Sequence, residues 1–261
     1  LFQFGFFLAN GMLTLFVLPL IYFYEKIFFL VSDISLLELS DTNSPLLKEL
    51  SDKAPGTFHH SLQVANLSEA CANEVNANAL LTRVGALYHD IGKIKKPNFF
   101  SENQKGSISP HDELSPVDSA KIIIAHVIDG VSLGKKNKLP DRVVDFIRTH
   151  HGTSKVYFFY KKQIELNPNS DIKKFIYPGP KPYSKETSIV MMADSIEAAS
   201  KSLKEPSFEI LEEFVNRIIN QQMDDGQFIN SNITFSEIEA VKKVLTKKLV
   251  NIYQLRIEYP I

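Results

Sequence analysis

The sequence predicts an all-α protein, a helical bundle preceded by one transmembrane helix. Three observations carry that prediction. Apolar residues recur with the helical period of 3.6 through most of the chain, as in Leu80, Leu81, Val84, Leu87 and Tyr88. No series of alternating apolar and polar residues suggests a substantial sheet. From Leu1 to Tyr24 the chain carries no charge, and only Gln3, Asn10 and Thr14 are clearly polar. That run meets the requirement of about 20 mostly apolar residues for a membrane helix.

Tyr22, Tyr24, Glu25 and Lys26 form the aromatic and charged edge expected at a membrane surface. A cleavable signal peptide fits less well, because no basic segment precedes the run and no small-residue cleavage site follows. A buried soluble helix is the other reading these residues allow. Because the chain opens at Leu1 inside the apolar run, a fragment of a longer membrane protein is expected, with the number of preceding spans not readable from these residues. Residues 1–31 are assigned to the transmembrane helix and its exit, 32–53 to a linker and short helix, and 54–261 to a cytoplasmic helical domain.

Ser40-Asp41-Thr42-Asn43-Ser44-Pro45 is the clearest linker, since each residue favours turns or caps. Pro45 suits the first turn of a short helix through Leu46, Leu47 and Leu50. Ala54-Pro55-Gly56 breaks the chain before a helix from Thr57 to Val75. The next helix runs toward His89, and the polar stretch from Lys95 to Glu113 reads as a loop. Helices follow over Val117 to Lys136 and from Pro140-Asp141 to His150-His151, where Gly152 stops the second. Val156 to Leu166 is an aromatic-rich helix, and the proline-rich segment Asn167 to Ser184 is a loop. Ser184 caps a helix through Ile189, Met192, Ile196 and Ala199. Phe208, Leu211, Val215, Ile218 and Ile219 mark another, ending at Asp225-Gly226. Gln227 to Thr234 reads as a short extended piece. Ser236-Glu237-Ile238-Glu239 is expected to be the capping box of the last helix.

The formal net charge of −1 over 261 residues gives no global basic field, so DNA and RNA are not expected partners. A local basic pocket for a small anion remains open. The single cysteine, Cys71, excludes an intrachain disulfide and lies in an Ala-rich helical pattern, so it reads as a small core residue.

The histidines are more telling. His59, His60, His89, His126, His150 and His151 lie on or beside helices that face the interior, and His111 lies in the loop. Buried imidazoles without partners are costly, and a metal centre is a partner that several can share. For His89-Asp90 alone, a buried hydrogen bond at a helix end is the simpler reading; the surrounding histidines favour a metal. Asp194, inside Met191-Met192-Ala193-Asp194-Ser195-Ile196, is a carboxylate that needs a partner for the same reason.

The set Ala54-Pro55-Gly56-Thr57-Phe58-His59-His60-Ser61, His89-Asp90-Ile91-Gly92-Lys93 and Tyr177-Pro178-Gly179-Pro180-Lys181-Pro182 resembles the HD-domain metal-dependent phosphohydrolases. Within them the chain looks most like the membrane-anchored phosphodiesterases with a seven-helix transmembrane region and a cytoplasmic HD domain, which hydrolyse the second messenger cyclic di-AMP to pApA. The resemblance implies an HD-domain helical bundle with a binuclear metal site. It puts a first metal on His60, His89, Asp90 and Asp194, and a second on bridging Asp90 with His126, His150 and His151. Attack by a hydroxide shared between the metals follows, with Asp90 and Lys93 as catalytic residues. Lys93, three residues beyond Asp90, is placed to contact the substrate phosphate, a solvated lysine at the head of the basic loop being the other reading. Lys181 and Tyr183 are expected to touch a nucleobase or phosphate. Glu197, one turn beyond Asp194, either orients a ligand or is an ordinary surface glutamate. Mixed nitrogen and oxygen donors fit two divalent ions, Fe or Mn, and Zn also meets this donor set; the resemblance favours Fe or Mn.

Related enzymes that cleave cyclic di-GMP follow their paired histidines with Glu and a Gly-Tyr-Pro motif, whereas Gly152-Thr153-Ser154-Lys155 stands here. The resemblance therefore favours cyclic di-AMP. Cyclic di-GMP or another nucleotide as substrate, or a non-catalytic cyclic-dinucleotide-binding module, are the alternatives. The expected partners are thus the cyclic dinucleotide, a lipid bilayer through the N-terminal helix, and a second copy in a homodimer.

Overall fold

The computed structural model describes residues 2–28, 30–104, 106, 109–204 and 206–253. Among them there is no strand; Lys155 and Ile176 form one isolated antiparallel bridge.

The N-terminal apolar run is helical over Phe2–Glu25, long and apolar enough to cross a membrane. It is broken once, between α1 (Phe2–Leu15) and α2 (Val17–Phe28). Pro19 supplies the reason: lacking an N–H, it leaves the Leu15 carbonyl without its helical donor. The side chains of Phe2, Phe7 and Leu13 are exposed. Glu25 ties the run to the next element, accepting from the Ser32 N–H at 2.6 Å and the Ser35 hydroxyl at 2.9 Å.

Residues 32–53, expected as linker and short helix, form two helices. They are α3 (Asp33–Ser40), capped by Ser32, and α4 (Pro45–Lys53), with proline in its first turn. Leu36, Leu46, Leu47 and Leu50 are buried in the same core as the rest of the bundle. Next come α5 (Pro55–Glu74) and α6 (Ala79–Tyr88). The stretch from Lys95 to Glu113, expected as loop, is largely short 3-10 turns at Ile91–Lys95, Pro97–Phe99, Ser101–Asn103 and Pro110–Glu113. Then follow α7 (Pro116–Lys136), α8 (Asp141–Thr149), α9 (Tyr157–Leu166), α10 (Lys185–Ser200), α11 (Phe208–Asp224) and α12 (Phe235–Ile252).

Two local expectations are corrected. Thr234, not Ser236, caps α12, with Glu237 returning the bond to the Thr234 N–H. Gln227 to Thr234 is turns and irregular chain rather than an extended piece, and Gln227 is spent inside the fold on Thr153.

Helix α5 is central, packing on α4, α6, α10 and α12. Val64, Cys71, Leu87, Ile189, Met192, Val215 and Leu245 are fully buried. Each of these valine, leucine, isoleucine and methionine side chains contributes roughly 1.5–3 kcal/mol when removed from water. That driving force fixes the rotation of α5 and α10 about their axes. His60 lies one turn before Val64, and Asp194 one turn after Val190, so the same apolar stripes aim both ligand candidates inward.

Candidate metal centre

Asp90 sits where α6 gives way to the turn Ile91–Lys95. The turn is pressed against α7 so closely that a Cβ on Gly92 would lie 1.9 Å from the His126 carbonyl oxygen. No side chain fits there, which accounts for the glycine. The two carboxylate oxygens of Asp90 face different partners. Oδ1 is 3.3 Å from His126 Nε2 and 3.5 Å from His150 Nε2. Oδ2 is 3.2 Å from His89 Nε2, 3.6 Å from His60 Nε2 and 2.7 Å from Lys93 Nζ.

Around Oδ2, His60 Nε2 lies 2.8 Å from Asp194 Oδ1, and His60 Nδ1 hydrogen-bonds Glu197. His89 Nδ1–H donates to the Ala86 carbonyl at 2.6 Å, leaving Nε2 turned into the cluster. Around Oδ1, His126 Nδ1–H donates to the Ile123 carbonyl and His150 Nδ1–H to that of Ile147 at 2.9 Å. Their Nε2 atoms therefore meet at 3.2 Å. Gly152, at φ +51°, turns the chain in a way side chains resist, so that His151 follows His150 inward. The His151 ring stacks on Tyr177 with centroids 4.2 Å apart. Two donor groups result: His60, His89, Asp90 and Asp194, and His126, His150 and His151, each with ligand atoms within 4.8 Å of one another.

These residues suit metal ions. His89 Nε2 and Asp90 Oδ1 are buried and make no hydrogen bond among the described residues. Orphaned polar atoms of this kind are rare, because each forfeits its hydration without return. Backbone carbonyls on the Nδ1–H of His89, His126 and His150 aim each Nε2 into the cluster, the usual support for an imidazole that binds a metal once Nε2 is free of its proton.

Charge differs across the centre. Burial alone would raise the Asp90 carboxyl, but Lys93 and His89 outweigh it and hold it well below the usual range. Asp194 is held low in the same way by His60 and His89. Burial disfavours charge on His89, yet Asp90 and Asp194 hold its imidazole up to about 10. His150 and His151 go the other way: burial pushes both down, and for His151 the neighbouring His150 adds to the effect.

Not every sequence-predicted residue reaches this centre. Lys181 donates instead to the carbonyls of Asp225 at 3.4 Å and Gly226 at 2.9 Å. Tyr183 lines a separate cavity with Arg142 and Asp145. Neither lines the cavity of about 530 Å³ over the cluster, whose wall includes His60, Lys93, Glu102, His151, Tyr177 and Asp194. His59 points to solvent, and His111 packs on Phe159 and bonds the Phe99 carbonyl. Of the six wall residues named, Tyr177 and Glu102 have no role in the sequence reading: Tyr177 opens a quoted motif, and Glu102 lies in a polar stretch without periodicity. Glu197 proves to be buried against His60 rather than a surface glutamate.

An all-α bundle that gathers these histidines around a His-Asp pair defines the class: the sequence pattern of the HD domain matches residues 57–199, and the chain belongs to the HD-domain family. Among particular relatives, the cyclic-di-AMP phosphodiesterase PgpH of Bacillus subtilis (strain 168) is 46% identical over 252 residues, covering 97% of this chain and 35% of that protein. PgpH of Listeria monocytogenes serotype 1/2a (strain 10403S) is 45% identical over 244 residues, covering 94% and 34%. The chain thus spans about a third of the length of these curated relatives. The crystal structure of the L. monocytogenes PgpH HD domain in complex with cyclic-di-AMP superposes with a TM-score of 0.80 at 45% identity, covering 82% of this chain and all of that one.

Proposed function

We propose that this chain is the catalytic part of a membrane-anchored phosphodiesterase that linearises cyclic di-AMP to pApA. The observation that carries the reading is the two-sided Asp90 carboxylate, each oxygen facing its own set of histidines. The similarity to PgpH, whose HD domain binds cyclic-di-AMP, supports the choice of substrate.

In this reading His60, His89, Asp90 and Asp194 hold one divalent ion, and Asp90, His126, His150 and His151 hold another. Fe or Mn suits the mixed donor set. When bound, such ions polarise the phosphodiester and acidify water near neutral pH. The remaining work falls to the chain. Glu197 fixes the ring of His60, and Tyr177 fixes that of His151. Lys93, mostly buried beside Asp90, brings a positive charge to a non-bridging phosphate oxygen as negative charge develops there. The apolar run Phe2–Glu25 tethers the domain, residues 54–261, to a lipid bilayer at its cytoplasmic face, with 32–53 joining the two.

Turnover of cyclic di-AMP, cyclic di-GMP and deoxynucleoside triphosphates, compared side by side in Mn²⁺, tests the substrate. Cyclic di-AMP is expected to be cleaved fastest, with pApA as product. Faster cleavage of cyclic di-GMP, or binding of cyclic di-AMP with no turnover, would overturn the assignment.

A further inference from the structure

Lys93 occupies an awkward place for a metal enzyme. Its ammonium lies 2.7 Å from Asp90 Oδ2, on the oxygen that also faces His60 and His89. A cation arriving at that oxygen meets a positive charge in a setting where water screens poorly. Lys93 therefore needs a second anion within reach, and the structure holds one. Glu102 Oε1 is 2.8 Å from Lys93 Nζ, and both side chains are largely buried.

Glu102 is not held there by Lys93 alone. Thr57, in the first turn of α5, donates its hydroxyl to Glu102 Oε1 at 3.0 Å. The neighbouring Asn103 locks the same turn, accepting from the Thr57 N–H at 3.1 Å and donating to its hydroxyl oxygen at 2.8 Å. The 3-10 turn Ser101–Asn103 is thereby strapped to the start of the helix that carries His60. The Phe100 ring, 4.9 Å from Lys93 Nζ, covers the ammonium. This gives the Ala54-Pro55-Gly56-Thr57 motif a use that the metal ligands alone do not explain.

We propose that Glu102 is a positioning residue for Lys93. It is the carboxylate that retains the Lys93 ammonium when a metal ion takes Asp90 Oδ2, and it keeps that ammonium at the cavity wall for a substrate phosphate. Thr57 holds Glu102 in place. The inference rests on the reading above that the His60 group binds a metal and that Lys93 meets the phosphate.

The test is a double-mutant cycle on the full chain, read by Mn²⁺ titration and by cyclic di-AMP turnover. Glu102→Gln keeps the size and the Thr57 hydrogen bond but removes the charge. It is expected to weaken Mn²⁺ binding and to lower kcat, each about tenfold. In a Lys93→Met background the same change is expected to cost less than about threefold, because neighbours acting through one another are not additive. Thr57→Val, which leaves both charges intact, is expected to lower kcat with little change in KM. Equal Glu102→Gln losses with and without Lys93, or no loss of Mn²⁺ affinity from Glu102→Gln alone, would overturn the proposal. The Mn²⁺ arm needs no substrate, so absent cyclic di-AMP turnover with intact coupling in Mn²⁺ binding counts against the substrate assignment and not against Glu102.

Discussion

The two donor groups share Asp90 and differ in everything else electrostatic. The group around His60, His89 and Asp194 is anionic, and its carboxylates hold protons on the imidazoles: His89 is raised to about 10, and His60 is also raised despite its burial. The group of His126, His150 and His151 brings no carboxylate of its own, and burial keeps His150 and His151 neutral. One side therefore attracts a cation strongly but must shed protons to admit it, while the other offers ready lone pairs with little charge behind them. If the proposed second ion binds there, the difference makes Asp90 its main source of attraction.

The contrast can be broken from either side. Asp194→Ala is expected to remove the first ion and reduce turnover by at least about a thousandfold, which is about 4 kcal/mol of barrier. His126→Ala is expected to weaken only the second ion and to leave the first bound. Metal content per chain beside kcat distinguishes them, and loss of both ions in His126→Ala would show that the groups are not separable.

Proton release sharpens the comparison. Since His89 carries a proton at neutral pH in the metal-free protein, loading the first ion should release protons, and its apparent affinity should fall as pH falls. Loading at His150 and His151, both held down by burial, should release few. Calorimetry in buffers of different ionisation enthalpy measures both. The same shifts set the stability of the metal-free fold. The raised His89 contributes stability that is fully present below its ordinary value of 6.5 and lost as pH rises through about 10. The depressed Asp90 and Asp194 contribute stability present above their ordinary value of 3.8 and lost in acid.

A smaller effect belongs to Glu197→Gln, which loosens His60 without removing a ligand. It should weaken the first ion about tenfold and spare the second. An equal loss at both ions would remove Glu197 from the first group's support.

Much of the fold was legible because the helix boundaries carry local chemistry: Ser184 caps α10, proline opens α4, and an apolar stripe runs through α12. The start of α12 was misplaced by two residues for a physical reason. Thr234 with Glu237 and Ser236 with Glu239 both satisfy the capping pattern, and only the tertiary fold chooses between them. The seven ligand candidates stood out because histidine and aspartate are conspicuous inside apolar helical runs, and the HD resemblance put them in order. Residues on irregular segments were harder. Nothing in the sequence around Glu102 says that its turn folds back onto Thr57. Nor does the proline-rich segment reveal that Tyr177 faces His151 while Tyr183 turns to another cavity. Helical periodicity aims side chains, and turns have no period to read.

The account stands on Asp90 as the shared ligand of two ions, and counting metal in Asp90→Ala tests it most directly. Wild-type chain loaded with Mn²⁺ without oxygen and freed of excess should hold two ions. Asp90→Ala should hold fewer than one and lose cyclic di-AMP hydrolysis. An Asp90→Ala protein that keeps two ions and full turnover would contradict the account.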